Sequence, residues 1–318
     1  MRAILCVISL LLSLASWAGP DYPPLQVEVK AVKLAPHSYY IPGLSGGASP
    51  ANQGFMSNAG FIVTPDGVVV FDTLGTPSLA AAMLREIRKV TQAPIRIVIV
   101  SHYHADHYYG IQVFKDAGAE IWAHEGAHGV IGSDAARDRF EQRKDLLKPF
   151  VTDALQRFFE PDRWLSGDTD FKLGGQHFQL RHVGPAHSAE DLALFVKEDG
   201  VLYAADLVFK GRVPFVGDAD SRLWLVALEK LIAFDAKTMV PGHGAASTDP
   251  MTDLTLTRDY LRFLRQEMGK AVDDLTPFEA AYGQTDWSKY QHMPAFPEAN
   301  RRNAYNTYIL MEREALGK

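Results

Sequence analysis

The chain has 318 residues, 32 of them basic and 38 acidic, giving a formal charge of −6, and it contains a single cysteine. A mildly acidic balance with no concentrated basic face argues against a nucleic-acid surface, and one cysteine excludes a disulfide framework. The length fits one large domain or one domain with an appendage, because a single core stops growing near ~250 to 300 residues.

The opening "MRAILCVISLLLSLASWAG" sets Arg2 before an apolar run from Ala3 to Leu14, with small residues at Ser16 and Ala18. This is the layout of a secretory signal cleaved after Ala18, and it predicts a periplasmic or secreted protein. The run falls short of the roughly 20 residues a membrane span needs, and no later run is long enough, so no stable membrane span is expected. Cleavage would remove Arg2 and Cys6, taking the charge from −6 to −7 and leaving no cysteine, hence no thiolate nucleophile or metal ligand.

"NAGFIVTPDGVVVFDT" (58–73) reads as two β-branched strands joined through a Pro-Asp-Gly turn. "SLAAAMLREIRKVT" (78–91) has helical spacing, and "IRIVIV" (95–100) is continuous enough for a strand buried on both faces. "DAARDRFEQRKDLLKPFVTDALQRFF" (134–159) predicts an amphipathic helix broken at Pro149. Then "FKLGGQHFQLRHV", "LALFVKEDG" and "VLYAAD", the last ending on Asp206, read as short strands with Gly-rich turns. Two rounds of strands and helices, one before residue 130 and one after 165, predict helices covering sheets in an α/β domain over 25–249. From Pro250 a long amphipathic helix with Leu254, Leu261, Leu264 and Met268 near one face, an aromatic connector and a final helix around "RRNAYNTYILMEREAL" predict a helical extension, 250–318, capping the core.

"SHYHADHYYG" (101–110) crowds three histidines and an aspartate into six positions directly after the buried strand. In an extended segment alternate side chains share a face, so His102 and His104 can bind one ion. A helix starting just after them puts Asp106 and His107 on its first turn, within reach of a neighbouring position, and a two-ion site becomes feasible. Imidazole and carboxylate suit a divalent cation of zinc type, with iron or manganese as alternatives. The remaining ligands are expected from the second round: His187 in "GPAHSAEDLALFV", Asp206, and His243 between two glycines in "MVPGHGA".

His-x-His-x-Asp-His, then a single histidine, an aspartate after a strand and a late Gly-His, all in order between Val27 and Ala246, resemble the metallo-β-lactamase-fold superfamily. The resemblance implies a four-layer αβ/βα sandwich and a metal-dependent hydrolase of a small molecule. It gives His102, His104 and His187 to a first metal and Asp106, His107 and His243 to a second. Asp206 corresponds to the carboxylate that bridges two ions in glyoxalase II-like members, and Asp72 to a position that steadies the ligand loop, with metal contact as the alternative; the chemistry of two such ions would have Asp106 orient the hydroxide they share and pass its proton to the leaving group. The first two subclasses of true metallo-β-lactamases carry a cysteine where this chain has Asp206, so the resemblance excludes them. The stretches "ANQGFMSNAGFIV" and "GRVPFVGDADSRLW" are also similar to periplasmic zinc metallohydrolases of quinoprotein relay and sulfur-oxidation systems.

The other histidines read as structure. His124 and His128 lie four apart in "AHEGAH", where they serve structure or line the cleft; His177 and His182 are strand residues; His37 and His292 carry no context. The 209–224 stretch either connects elements or lines the cleft, with Arg212 pairing an anionic group and Phe215 or Trp224 as an apolar wall. Three functions follow: a dinuclear zinc hydrolase of an ester, thioester or amide, β-lactams included; a mononuclear iron oxidoreductase of the persulfide dioxygenase type; and a metal-bound accessory protein that binds a partner without turnover.

Overall fold

A computed structural model describes residues 21–317 apart from Ser45 and Asp218, and the expected signal segment lies outside the described residues. In chain order its elements begin with strands Val32–Lys33 (β1), Ser38–Ile41 (β2), Ala59–Thr64 (β3) and Gly67–Phe71 (β4). Helix Pro77–Val90 (α1), strand Ile95–Ile99 (β5), helices Ala105–Tyr108 (α2) and Ile111–Asp116 (α3), strand Glu120–His124 (β6), helix Asp134–Leu146 (α4) and strand Arg163–Leu165 (β7) complete the first round. The second comprises Thr169–Leu173 (β8), Gln176–His182 (β9), Leu192–Val196 (β10), Val201–Phe209 (β11), helix Ser221–Ile232 (α5) and strand Thr238–His243 (β12). Helices Pro250–Asp273 (α6), Phe278–Gln284 (α7) and Phe296–Ala315 (α8) follow.

Strands β1 to β7 form one sheet in sequence order, and β12-β11-β10-β9-β8 form the other. Thr64 pairs with Gly67 across the Pro65-Asp66 turn, so β3 and β4 are the hairpin that the Asp-Gly signal predicts. From β4 to β7 the pairing is parallel, which the crossover through α1 requires. Ile62, Val69, Ile97 and Trp122 of the first sheet meet Phe178, Leu180, Leu194 and Tyr203 of the second in the central layer. The opposite face of the first sheet buries Leu79, Met83 and Ile87 of α1 and Phe114 of α3. The outer face of the second sheet buries Trp224 and Leu228 of α5 and Leu261, Leu264 and Met268 of α6. The result is the expected α/β sandwich of two sheets flanked by helices, with α6 to α8 sharing the core of the second sheet.

Two expectations are corrected. The helix from 134 ends at Leu146 and does not resume after Pro149. Proline lacks a donor and disfavours helical backbone in the residue before it. Beyond it the Gln112 amide takes backbone groups that a helix would use, donating to the Leu155 carbonyl at 2.9 Å and accepting from Arg157 N at 2.7 Å. The other correction concerns β11, which continues past Asp206 to Phe209. Its register against β12 shifts on both sides of Ala205, whose φ of 46° lies in the left-handed region. That irregularity interrupts the alternation of the strand, and non-glycine residues hold such a conformation only where their surroundings impose it.

Candidate metal centre

The two sheets bring their site-bearing strand ends to one edge. β5 delivers the 101–107 loop, β4 ends at Asp72, β10 follows the His187 loop, and β11 and β12 supply Asp206 and His243. All seven expected ligands meet there. His102, His104, His187 and Asp206 form one group of potential ligand atoms lying within 4.8 Å of one another, and Asp106, His107 and His243 form a second.

Asp206 joins them, with one oxygen on each side. Its Oδ2 lies 3.3 Å from His187 Nε2 and 3.8 Å from His102 Nε2. Its Oδ1 lies 3.1 Å from His107 Nε2 and 3.3 Å from His243 Nε2. Asp106 closes the second group through Oδ2, 3.4 Å from His243 Nε2 and 3.5 Å from His107 Nε2. His104 Nδ1 and His187 Nε2 face each other at 3.0 Å. Close approach at Asp206 depends on Gly242, where a Cβ would stand 1.9 Å from Asp206 Oδ1.

Hydrogen bonds behind the ring set the tautomers. Asp72 Oδ2 accepts from His107 Nδ1 at 2.8 Å and from Ser101 Oγ at 2.8 Å, while Oδ1 accepts from Ser101 N. Ser101 Oγ has then given its proton away, so at 3.0 Å it accepts from His102 Nδ1. His243 Nδ1 donates to the Met56 carbonyl at 2.8 Å. In all three histidines Nδ1 makes the outward bond and Nε2 is turned inward, which is how supporting groups present imidazole to a cation once any Nε2 proton has left. His102 Nε2, His107 Nε2 and Asp206 Oδ1 are buried without a hydrogen bond. Unpartnered buried polar atoms of this kind are costly unless a cation takes them, so the residues present fit a pair of metal ions.

Asp72 thus serves three groups at once, from a backbone φ of 63° directly after the end of β4. Asp72→Ala should weaken metal binding by about 10- to 100-fold, because His107 and the Ser101 relay lose their anchor together. Competition against a chromophoric chelator reads that change directly, and unaltered affinity would contradict the role.

The two groups also differ electrically. Burial pushes the imidazolium forms of His102 and His187 down, and His104 down to about 3. For His107 burial acts the same way, but the Asp206, Asp106 and Asp72 carboxylates outweigh it and hold the ring well above the usual histidine range. His243 is likewise raised, by Asp206 and Asp106 against burial. Cations compete with protons for these nitrogens. The first group is therefore neutral and ready at neutral pH, whereas the second must release protons to load, so its affinity falls as pH drops. Acidification from pH 8 to 5.5 should empty the second position first. Metal content after equilibration at each pH tests this, and simultaneous loss of both ions would refute it.

Residues 52–243 match the Metallo-beta-lactamase superfamily, which is more than half of the chain. The chain belongs to that superfamily. Among its relatives, the linear primary-alkylsulfatase of a Pseudomonas species is 25% identical over 259 residues, 69% of this chain and 48% of the relative. Metallo-beta-lactamase IND-1 of Chryseobacterium indologenes is 23% identical over 246 residues, covering 74% of this chain and 89% of the relative. A solved stereoselective inverting sec-alkylsulfatase from Pseudomonas has the same fold with a TM-score of 0.69 at 18% identity, covering 91% of this chain and 50% of its own. The chain spans about half the length of the alkylsulfatases it matches.

The remaining sequence candidates sit around this superfamily site. Trp224, offered with Phe215 as a cleft wall if the 209–224 stretch lines the cleft, is fully buried: its Nε1 donates to the Leu207 carbonyl at 3.1 Å and its ring lies 5.5 Å from His187. It backs a ligand because the amphipathic face of α5 turns it into the core. Phe215 is half-buried, and Arg212 lies over the Phe209 ring at 5.7 Å. Phe209 in turn stacks on His243 with centroids 5.1 Å apart. His124 stacks on His182 at 3.5 Å, His128 packs on Trp164, and His37 and His177 bond Asp199 and Glu198. His292 is exposed. Ser101 and Asn58 escaped the sequence reading. Asn58 Nδ2 donates to the carbonyls of Pro241 and Gly244 at 2.7 Å each, holding the His243 turn. The adjacency of Ser101 to the histidine cluster was the available signal; Asn58 had none.

Proposed function

We propose that the chain is an exported dinuclear zinc hydrolase that cleaves an ester, thioester or amide bond of a small molecule, with sulfate esters included by its alkylsulfatase relatives. One observation carries this reading: a single carboxylate, Asp206, turns one oxygen to each of two histidine groups. A mononuclear oxidoreductase would leave Asp106, His107 and His243, which the fold gathers beside the first group, idle. Two divalent cations supply, when bound, an activated water at neutral pH and a Lewis-acid contact to the bond under attack.

The chain's own residues do the rest. Asp106 accepts a proton at the centre and returns it to the leaving group. Arg212 offers its guanidinium to an anionic part of the substrate; burial lowers its pKa against the opposing pull of Asp206. Beyond the 210–217 stretch, Asp220 N donates to the Ala186 carbonyl at 3.1 Å and so joins the start of α5 to the loop that carries His187.

The deciding experiment is metal analysis of protein purified from the exported fraction, followed by assay on an aryl ester, a thioester, a β-lactam and a short alkyl sulfate. Two zinc per chain and turnover of at least one bond type are expected. One iron per chain would replace this reading with oxygen chemistry, and a fully loaded two-zinc form inert on every bond type would leave the accessory role.

A further inference from the structure

The C-terminal helices do more than cover the second sheet. Helix α8 sends Asn303 and Asn306 inward to the 210–217 stretch, the segment that leaves β11 three residues after Asp206. Asn303, fully buried, accepts from Val216 N at 3.0 Å and donates to the Pro214 carbonyl at 2.7 Å. One primary amide thus satisfies a donor and an acceptor two residues apart, as a neighbouring strand would. One turn further on, Asn306 Nδ2 donates to the Gly217 carbonyl. Before α8, the Pro294 carbonyl accepts from Val213 N at 3.0 Å, and Arg302 covers the Phe215 ring at 5.3 Å.

The clamp is itself anchored. Tyr260 of α6 accepts from Asn303 Nδ2 at 3.0 Å and donates to Asn300 Oδ1 at 2.9 Å, and Asn300 Nδ2 donates to Tyr282 of α7 at 3.2 Å. Asn300 and Asn303 are both at 0% exposure. A buried polar network with every member satisfied is stiff, because each displaced bond leaves an unpaired group in a low-dielectric interior. At its other end the held stretch abuts the metal ligands: Lys210 N donates to the His243 carbonyl at 3.1 Å, and Arg212 lies over the ring stacked on His243.

We infer that Asn303, seconded by Asn306, is a positioning residue: through Val216, Pro214 and Gly217 it fixes the 210–217 stretch, and so Arg212 and Phe215, in the conformation that binds substrate. This rests on the hydrolase reading for the word substrate, while the clamp itself is independent of it. The segment carries Pro214, which lacks an N–H, and Gly211 and Gly217 at positive φ, so it has little hydrogen bonding of its own to hold one shape.

The test compares metal-loaded full-length wild type with Asn303→Leu and with Asn306→Ala, which removes one bond at a half-buried position and is the variant to rely on if the first folds poorly. Amide hydrogen exchange is measured without substrate, and kcat and KM are measured on whichever ester the wild type cleaves. Exchange across 211–217 should quicken by about tenfold or more, with peptides spanning 101–110 and 184–191 unchanged. KM should rise by about fivefold to tenfold with kcat within twofold and zinc content constant, a split that a general loss of packing would not produce. Unchanged exchange at 211–217, or a fall in kcat and zinc content with KM constant, overturns the inference. If the wild type cleaves nothing, the hydrolase reading fails and the exchange result still decides the clamp.

Discussion

Asp206→Ala should reduce the bound metal from two ions per chain to at most one and lower turnover by at least about a thousandfold, since a catalytic cation contributes several kcal/mol and each 1.4 kcal/mol is a factor of ten. The argument is geometric. Among the described residues Asp206 is the one side chain with an oxygen toward each histidine group, so deleting it removes a ligand from both positions and the tie between them. Stability should respond far less. Removing one partner of a buried charge pair ordinarily costs about 3 to 5 kcal/mol because the other charge is stranded. Here the stranded groups are His107 and His243, whose protons Asp206 helps to retain. Both rings can shed that charge by deprotonating, so the fold escapes most of the penalty and the loss appears in metal content. Plasma emission analysis together with initial rates checks both halves, and a variant that keeps two ions and full turnover would remove the basis of the dinuclear reading.

The parts of this centre differed in how readable they were, for physical reasons. The 102–107 cluster was legible because four ligands lie next to each other behind a continuous apolar strand, and local spacing alone places them together. His187, Asp206 and His243 lie roughly 80 to 140 positions further along the chain, where local spacing says nothing; only their order within the superfamily pattern linked them. The backbone that aims them was hidden. Ala205 is not a residue type that signals positive φ, and aspartate does so only weakly, yet Ala205 and Asp72 adopt it, at 46° and 63°, because the tertiary contacts of the site impose it. Trp224 stayed open between cleft and connection because an aromatic after a glycine-containing loop has the same appearance in either place; the face of α5 decided for the core. The helix expected after Pro149 followed from composition, and the Gln112 amide overrode it. The asparagines of α8 gave no signal, since a polar residue on a helix reads as solvated until a partner element covers it.

Asp106→Asn separates chemistry from metal binding, and it should lower kcat by about 100- to 10,000-fold, the usual worth of a positioned proton-transfer group. Asparagine keeps the shape of the side chain and an oxygen for the cation, and the main-chain anchor is untouched, because Ser57 Oγ donates to the Asp106 carbonyl oxygen at 2.5 Å. What it loses is the ability to take a proton. Burial would raise the Asp106 carboxyl, but the His107 and His243 rings outweigh burial and hold it below the usual carboxylate range, so it is ionised and ready to accept at neutral pH. At least one ion should therefore remain bound, and KM should stay within a few-fold of wild type while kcat collapses, the signature of an interaction made only as the reaction proceeds. Asp206→Ala and Asp106→Asn then give different patterns, metal lost with activity in the first and activity lost ahead of metal in the second. Full activity in Asp106→Asn would strip Asp106 of its proton-transfer role, and loss of both ions with the fold intact would make it a ligand and nothing more.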